Sequence, residues 1–298
     1  MRVVFYDEFV PGLIADDGSV VRIDRLRPGH EHPQDVLVEL ITRFDDLRDD
    51  LEQVARRGGG IPATEVRLRS PVPRPGKLVC ARGNYRENSQ REPWPLDAFL
   101  KSPDAVIGPG DTVRLPAREH PVFHHEAELA VVIGAEGKDF GAGEAMAHVF
   151  GYAAFMDVSA RKGLGRQDGA SFLGKSYDTF APMGPCVLTR DEVEDPHSLR
   201  VRYFVNDEPR HDYNTSDMEH PIPELLEFLA SIMTLRSGDV VACGTNHQQI
   251  GPLQHGDVAR IAIERIGEFS VTVDDPLRRS WARKIDQEMA RRVRQAPT

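Results

Sequence analysis

Residues 124–134 read HHEAELAVVIG, an apolar stretch headed by two acidic side chains, Glu126 and Glu128. In a β-strand, successive side chains point to opposite faces, so both carboxylates would share a face with Ala130 while Leu129 and Val131 fill the other. Adjacent carboxylates repel, and burying them there is costly unless a cation lies between them. The alternative is an edge strand whose carboxylates point into water, and this segment leaves both interpretations open.

A third carboxylate, Asp157, follows the apolar run FGYAAFM at residues 150–156, which is too hydrophobic for a surface strand. This favours a metal site. Three oxygen ligands without a cysteine suit a hard cation such as Mg²⁺, Mn²⁺ or Ca²⁺ better than Zn²⁺. His124 and His125 could also bind metal, but flanking histidines more often support ligands or pack, and we expect His125 to hydrogen-bond to a ligand.

Composition excludes several classes of protein. The 298 residues suffice for about two domains, and the formal net charge of −10 disfavours nonspecific nucleic-acid binding. The three cysteines are scattered, which argues against a disulfide framework and favours a reducing, cytoplasmic setting. We find no signal peptide and no run of the ~20 apolar residues that a membrane span needs, so we expect no membrane partner.

The sequence predicts a small N-terminal unit, residues 1–70. Strands are expected at residues 3–9 and 20–23, and apolar positions at helical spacing predict one helix over residues 37–54. The proline-rich segment SPVPRPG at residues 70–76 marks the boundary.

The second unit, residues 71–275, alternates short apolar runs with Gly and Pro. This pattern predicts a β-rich, mixed α+β fold, whether barrel, roll or sandwich, with one helix over residues 222–235. Residues 276–298 form a charged tail whose stripe of Trp281, Ile285 and Met289 predicts a peripheral helix.

Common catalytic templates are absent or out of context. Residues 169–176, GASFLGKS, match the P-loop pattern, but no buried strand precedes them and we expect no helix to follow. Lys175 within that string could polarise a carbonyl near a metal site, or it could be an ordinary surface lysine. No G-x-S-x-G, G-x-G-x-x-G or H-E-x-x-H pattern supports a serine hydrolase, Rossmann or zincin interpretation.

Taken in order, several segments resemble the fumarylacetoacetate hydrolase superfamily from about residue 77 to 273. The matching strings are RGNY at 82–85, KSPDAVIG at 101–108, HEAEL at 125–129, GY at 151–152, DVSAR at 157–161, GKSYDTF at 174–180, GP at 184–185, GDV at 238–240 and CGT at 243–245. The resemblance implies a β-sandwich roll behind a small N-terminal hairpin-plus-helix domain, and a homodimer.

The resemblance also implies chemistry. Glu126, Glu128 and Asp157 would bind Mg²⁺ or a similar ion that chelates a small 2-keto-acid or 1,3-diketone and stabilises an enolate. Lys175 would stabilise oxyanion charge. Substrate contacts are expected from Arg82, Tyr85, Gln167, Thr245 and Asn246.

Three features of the sequence depart from the family pattern. The histidine and glutamate that activate water in hydrolase and decarboxylase members are replaced by Asn88 and Arg91. The glutamine expected after the metal-binding aspartate is Leu164, although Gln167 lies nearby. The family's G-T-P turn reads Gly244-Thr245-Asn246-His247 here, which places an unexpected histidine near the expected pocket mouth.

These departures shape the functional hypotheses. The first is a metal-dependent enzyme that hydrolyses or decarboxylates a keto-acid at a C–C bond. The others are a dehydratase or keto-enol tautomerase of the same fold, or a retired binding protein. Asn88, on a polar segment at residues 84–96 that resembles a lid, could orient water but not take a proton. His247 is the candidate base, unless it only caps the turn at Gly251.

Overall fold

The computed structural model describes residues 1–24, 26, 29–88, 92–161 and 171–294. The helices are α1 (Pro33–Thr42), α2 (Phe44–Arg57), α3 (Ala142–Ala145), α4 (Ser171–Lys175), α5 (Ile222–Ile232) and α6 (Gln287–Arg294). The strands are β1 (Arg2–Tyr6), β2 (Val10–Ile14), β3 (Ser19–Arg22), β4 (Ile61–Pro62), β5 (Leu78–Ala81), β6 (Ala98–Lys101), β7 (Val106–Ile107), β8 (Thr112–Arg114), β9 (Val122–His124), β10 (Ala127–Ile133), β11 (Val149–Met156), β12 (Ser159–Arg161), β13 (Ala181–Thr189), β14 (Arg200–Val205), β15 (Glu208–Asn214), β16 (Val240–Ala242), β17 (Val258–Ile263) and β18 (Gly267–Asp274).

Two sheets dominate the molecule. The larger runs β4-β3-β2-β1-β13-β11-β10-β16-β5-β6, with β7 beside β13, and the smaller runs β15-β14-β17-β18-β8. Most neighbours are antiparallel, but β5–β16, β7–β13 and β8–β18 are parallel. The predicted mixed, sheet-rich α+β fold is confirmed.

Strand β10 is buried on both faces. Leu129 and Val131 belong to the core between the two sheets, together with Tyr203 of the smaller sheet. Ala130 belongs to a second core on the opposite face, which includes Leu37 of α1. The alternation predicted for residues 129–133 is confirmed, and burial on both sides explains why the segment is almost continuously apolar.

The interpretation of residues 124–134 as one strand was wrong for its first three residues, 124–126. Strand β9 ends at His124 and pairs with β12, whereas β10 begins at Ala127 and pairs with β11. His125 and Glu126 form the link between two strands that lie in different sheets.

The N-terminal unit differs from its prediction in two ways. It contains three strands before the first helix, and β1 pairs with β13, so the hairpin extends the larger sheet. The predicted single helix is two helices divided at Arg43, whose φ of −107° and ψ of 10° leave the helical region. Phe44 then begins α2 and packs edge-on against Phe150 at 5.1 Å. The boundaries 1–70, 71–275 and 276–298 remain a proposal.

Two other helix predictions need correction at their ends. Helix α5 stops at Ile232, before the predicted residue 235. In the tail, Trp281 and Ile285 precede α6 instead of lying on it. Within the described part of the chain, none of the helices combines the length and the apolar character needed to cross a membrane.

Candidate metal centre

Glu126, Glu128 and Asp157 converge because of the register between β10 and β11. Ala127 lies opposite Met156 in this antiparallel pair, so the residues just outside, Glu126 and Asp157, face each other across the strand ends. The Asp157 N–H donates to the Glu126 carbonyl oxygen at 2.9 Å. Glu128 enters from the second position of β10.

The three carboxylates form a compact donor set. One oxygen from each lies within 4.8 Å of the others, and all three residues are buried. Oxygens on opposite sides of a Mg²⁺ or Ca²⁺ ion are separated by about 4 to 5 Å, so this cluster fits a hard divalent cation. The alternative of an edge strand with solvated carboxylates is therefore wrong.

Three cationic side chains surround the carboxylates. Lys175 Nζ is 2.5 Å from Glu126 Oε2 and 2.5 Å from Asp157 Oδ2. Lys101 donates to Asp157 Oδ1 and, at 3.2 Å, to the Val158 carbonyl oxygen. Arg161 Nη2 donates to Glu126 Oε1. The cluster therefore already attracts positive charge, and Lys175 is not the ordinary surface lysine that the sequence allowed.

In the part of the chain that the structure describes, no helix directly follows the P-loop-like string, as expected, but a short helix that was not expected, α4 (Ser171–Lys175), lies within it. A P-loop lysine opens its helix, whereas Lys175 ends this one and binds carboxylates instead of presenting itself to phosphate.

The carboxylates differ electrostatically. Burial, reinforced by the charges of Asp157 and Glu126, raises the pKa of Glu128 well above its usual range, and the Gly244 N–H donates to its Oε2 at 2.8 Å. Burial alone would also raise the pKa of Glu126, but Lys175, Arg161 and His247 hold that pKa well below its usual range. Crowded negative charge at Glu128 is what a divalent cation would relieve.

His247 pairs with a carboxylate that sequence reasoning missed. Its Nδ1 lies 2.8 Å from Glu87 Oε1, and its backbone N–H donates to the same oxygen at 2.7 Å. The other ring nitrogen, Nε2, lies 4.0 Å from Glu126 Oε1. Because Nδ1–H must donate to the Glu87 carboxylate, neutral His247 presents the lone pair of Nε2 toward the metal centre.

Asp217 fixes the loops that carry this pair. Its Oδ2 accepts from the Glu87 N–H at 3.0 Å and from Asn246 Nδ2 at 3.2 Å. The Asn246 side-chain oxygen accepts from the Gln248 N–H at 3.0 Å. Asn246, predicted to bind substrate, thus uses both ends of its amide within the protein.

The remaining predicted substrate residues are spread out. Thr245 is buried with its hydroxyl beside the Tyr213 phenol, and Tyr85 packs edge-on against Tyr213 at 5.0 Å. Arg82 is half-exposed and pairs with Asp97 at 3.2 Å. Asn88 is exposed, with a left-handed φ of 60°. Gln167 lies outside the described residues, as do Leu164 and the centre of the predicted lid, residues 89–91.

The two adjacent histidines face different partners. His125 Nδ1 lies 3.0 Å from His211 Nε2, and its ring stacks on Tyr203 at 4.6 Å, so it does not make the predicted bond to a metal ligand. His124 Nδ1 instead accepts from Arg161 Nε at 3.1 Å. Burial lowers the pKa of His124 to about 4, which keeps its ring neutral near pH 7.

Sequence reasoning missed Glu87, Lys101 and Arg161. Glu87 lies 160 residues from its partner His247, so no local pattern connects them. Lys101 and Arg161 each belong to strings that match the family, KSPDAVIG and DVSAR, and that signal could have marked them as buried.

Comparison with known proteins gives a consistent result. A family model described as fumarylacetoacetate (FAA) hydrolase C-terminal matches residues 77–274. The chain is 34% identical over 267 residues to the oxaloacetate tautomerase FAHD2A, mitochondrial, of Homo sapiens, covering 84% of this chain and 82% of that protein.

Solved structures agree with this match. Maleylpyruvate hydrolase from Sphingobium sp. SYK-6, in complex with manganese (II) ion and pyruvate, is 34% identical with a TM-score of 0.81, covering 92% of this chain and 99% of that one. The 2-hydroxyhepta-2,4-diene-1,7-dioate isomerase from Mycobacterium marinum is 30% identical with a TM-score of 0.69, covering 93% and 99%.

Proposed function

Because this chain belongs to the fumarylacetoacetate hydrolase family and is a divalent-metal-dependent enzyme of the kind that acts on keto-acids, we propose that it hydrolyses a C–C bond in an acylpyruvate-like substrate. The observation that carries this proposal is the contact between Glu87 and His247. The ring nitrogen of His247 that does not face Glu87, Nε2, lies 4.0 Å from Glu126 Oε1. It supplies a base that the family positions Asn88 and Arg91 lack.

Glu126, Glu128 and Asp157 would hold the ion, with Mg²⁺ or Mn²⁺ as the candidates. The Mn²⁺ in the maleylpyruvate hydrolase structure supports this choice. When bound, the ion supplies a Lewis acid that polarises the keto-acid and stabilises the enolate left after cleavage.

In this proposal, His247 Nε2 takes a proton from water, and the water oxygen attacks the acyl carbonyl carbon. Glu87 holds the ring by its Nδ1–H and stabilises the imidazolium that forms. Lys175 stabilises the negative oxygen. The C–C bond breaks, its electron pair passes to the pyruvate enolate, and His247 returns the proton to carbon. The products are a carboxylic acid and pyruvate.

The proposed substrate-contact residues differ in what their side chains touch in this structure. Thr245 and Tyr85 are supported by burial on the Glu128 side of the centre. Arg82 and Asn246 have protein partners in this structure and would have to exchange them for substrate. Asn88, next to Glu87, would orient water.

A second candidate is keto-enol tautomerisation of oxaloacetate, favoured by the name of the human relative. It needs the same base and Lewis acid but no attacking water. A homodimer and a cytoplasmic location also stay predictions, and the mitochondrial location in that relative's name gives no support to the latter.

One experiment separates these functions. Purified protein is incubated with an acylpyruvate and with oxaloacetate, each with Mn²⁺, with Mg²⁺ and with EDTA. Metal-dependent release of pyruvate from the acylpyruvate is expected. Conversion of enol to keto oxaloacetate without any acylpyruvate cleavage would replace hydrolysis by tautomerisation. Activity that persists in Glu126→Gln would contradict both.

A further inference from the structure

The chain continues past β18 as residues 275–294, here called the C-terminal arm, which lies beyond the family match at residues 77–274. Several hydrogen bonds fix the arm in place. The fully buried Asp275 carboxylate accepts from Arg279 Nη2 at 2.8 Å and Nε at 2.9 Å. The backbone N–H of Trp281 donates to Gln254 Oε1 at 2.7 Å.

These contacts place Asp286 beside His124, which lies two residues before Glu126. The Asp286 N–H donates to the Ile250 carbonyl oxygen at 2.9 Å, and the fully buried Ala290 donates back to the Asp286 carbonyl oxygen at 2.8 Å. The Asp286 carboxylate then lies 3.3 Å from His124 Nε2.

From His124, contacts continue to a proposed metal ligand. Arg161 Nε donates to His124 Nδ1 at 3.1 Å, and Arg161 Nη2 donates to Glu126 Oε1. A guanidinium N–H can only donate, so His124 Nδ1 must carry the lone pair and Nε2 the proton. The Asp286 carboxylate, 3.3 Å from Nε2, favours the proton on that nitrogen through its negative charge, without an aligned hydrogen bond.

We propose that Asp286 is a positioning residue for the metal centre: by favouring the tautomer of His124 that accepts from Arg161, it holds Arg161 against Glu126 Oε1 and so fixes the Glu126 carboxylate, whose Oε2 contacts Lys175. This inference rests on Glu126 being a metal ligand, as proposed above. Partners behind the ligands typically change metal affinity or activity by about 10- to 100-fold when removed. Through this chain of contacts, a segment outside the family domain completes the site.

The test measures Mn²⁺ affinity by titration calorimetry, which needs no substrate. We expect Asp286→Ala to weaken Mn²⁺ binding by about tenfold or more. Arg161→Gln should weaken it similarly, and the double variant should lose little more than either single variant, because both break one chain of contacts. Asp286→Asn, which keeps an acceptor oxygen, should restore most of the affinity.

Asp274→Ala is the matched control, because it breaks a surface pair with His255 at 3.1 Å that does not lead to the carboxylates. It should bind Mn²⁺ like the wild type. Additive losses in the double variant, or normal affinity in Asp286→Ala, would overturn the proposal. Should Asp286→Ala not fold, His124→Phe removes the middle of the same chain, and normal affinity there overturns it equally. If Glu126→Gln binds Mn²⁺ normally, the metal centre itself is misplaced.

Discussion

Lys175 donates to two of the three carboxylates and so adds a positive charge at the site without belonging to the oxygen donor set. We expect Lys175→Met to lower kcat by about a hundredfold or more while nearly preserving Mn²⁺ affinity, because an oxyanion loses its stabilising charge. Steady-state kinetics and calorimetry check this. Lys138→Met, at a half-exposed lysine on the surface, is the control. A change confined to KM would make Lys175 a substrate-binding residue only.

His247 and Glu87 make a second prediction at this scale. His247→Gln should lower kcat/KM by about 10² or more and remove the acidic limb of the pH profile, since glutamine cannot take the proton. Glu87→Gln keeps a hydrogen-bond acceptor for Nδ1–H and should cost less. Asn88→Ala should cost least, because an amide can orient water but cannot act as a base. If His247→Gln retains both rate and limb, His247 only caps its loop.

At the scale of elements, β11 is central because it lies between β10 and β13 and ends just before Asp157. A Cβ added at Gly151 would lie 2.3 Å from the Leu188 carbonyl oxygen, so Gly151→Ala must push β11 and β13 apart. We expect a loss of about 2 kcal/mol or more in unfolding free energy, with reduced activity as Asp157 shifts. Urea denaturation measures it.

Gly143→Ala is the control for that variant, because an added Cβ on α3 meets nothing within 4 Å. Its unfolding free energy should stay within about 1 kcal/mol of the wild type. Equal stability of Gly151→Ala and wild type would contradict the β11–β13 register.

The elements also show what a sequence can predict. Period-two alternation located β10 and its two buried faces, since that pattern is local. The break at Arg43 and the pairing of β1 with β13 were missed, because they depend on how Phe44 and Val3 meet residues more than 100 positions away. Hydrophobic periodicity carries no information about such pairings.

At the scale of the whole molecule, too, local patterns could be predicted from the sequence and long-range contacts could not. The three carboxylates were predicted because two lie two residues apart and the third ends an apolar run. Glu87 and Asp286 could not be predicted, since only the fold brings each of them to its partner. Glu87 lies 160 residues from His247, and Asp286 lies on the C-terminal arm, far along the chain from His124.

Metal binding should stabilise the entire chain, because only the folded state assembles the three carboxylates. Mn²⁺ at a hundred times its Kd should add about 2.7 kcal/mol and raise Tm by roughly 5 °C. Differential scanning fluorimetry with Mn²⁺ or EDTA measures the shift. Asp157→Asn should show little or none of it, and an equal shift in that variant would remove Asp157 from the site.

Acid should destabilise the molecule through its buried imidazoles. Burial, then the nearby His247, lowers the pKa of His211 to about 3, and burial holds the pKa of His125 well below its usual value. Between about pH 3 and 6.5 the unfolded chain binds more protons at these groups than the folded chain, so stability is full above about 6.5 and falls as the pH drops. His211 alone should account for about 2 kcal/mol of the difference between pH 7 and pH 5.

Urea denaturation at pH 7 and at pH 5 gives the loss of unfolding free energy between these two pH values. We therefore expect this loss to be smaller by about 2 kcal/mol in His211→Gln than in the wild type. His32→Gln, at an exposed histidine, should leave the difference unchanged. Because His125 bonds directly to His211, the variant also loosens its neighbour, and some of the acid sensitivity assigned to His125 should disappear with it. An undiminished pH difference in His211→Gln would mean that the acid sensitivity arises elsewhere, with the carboxylates of the metal centre the next groups to test.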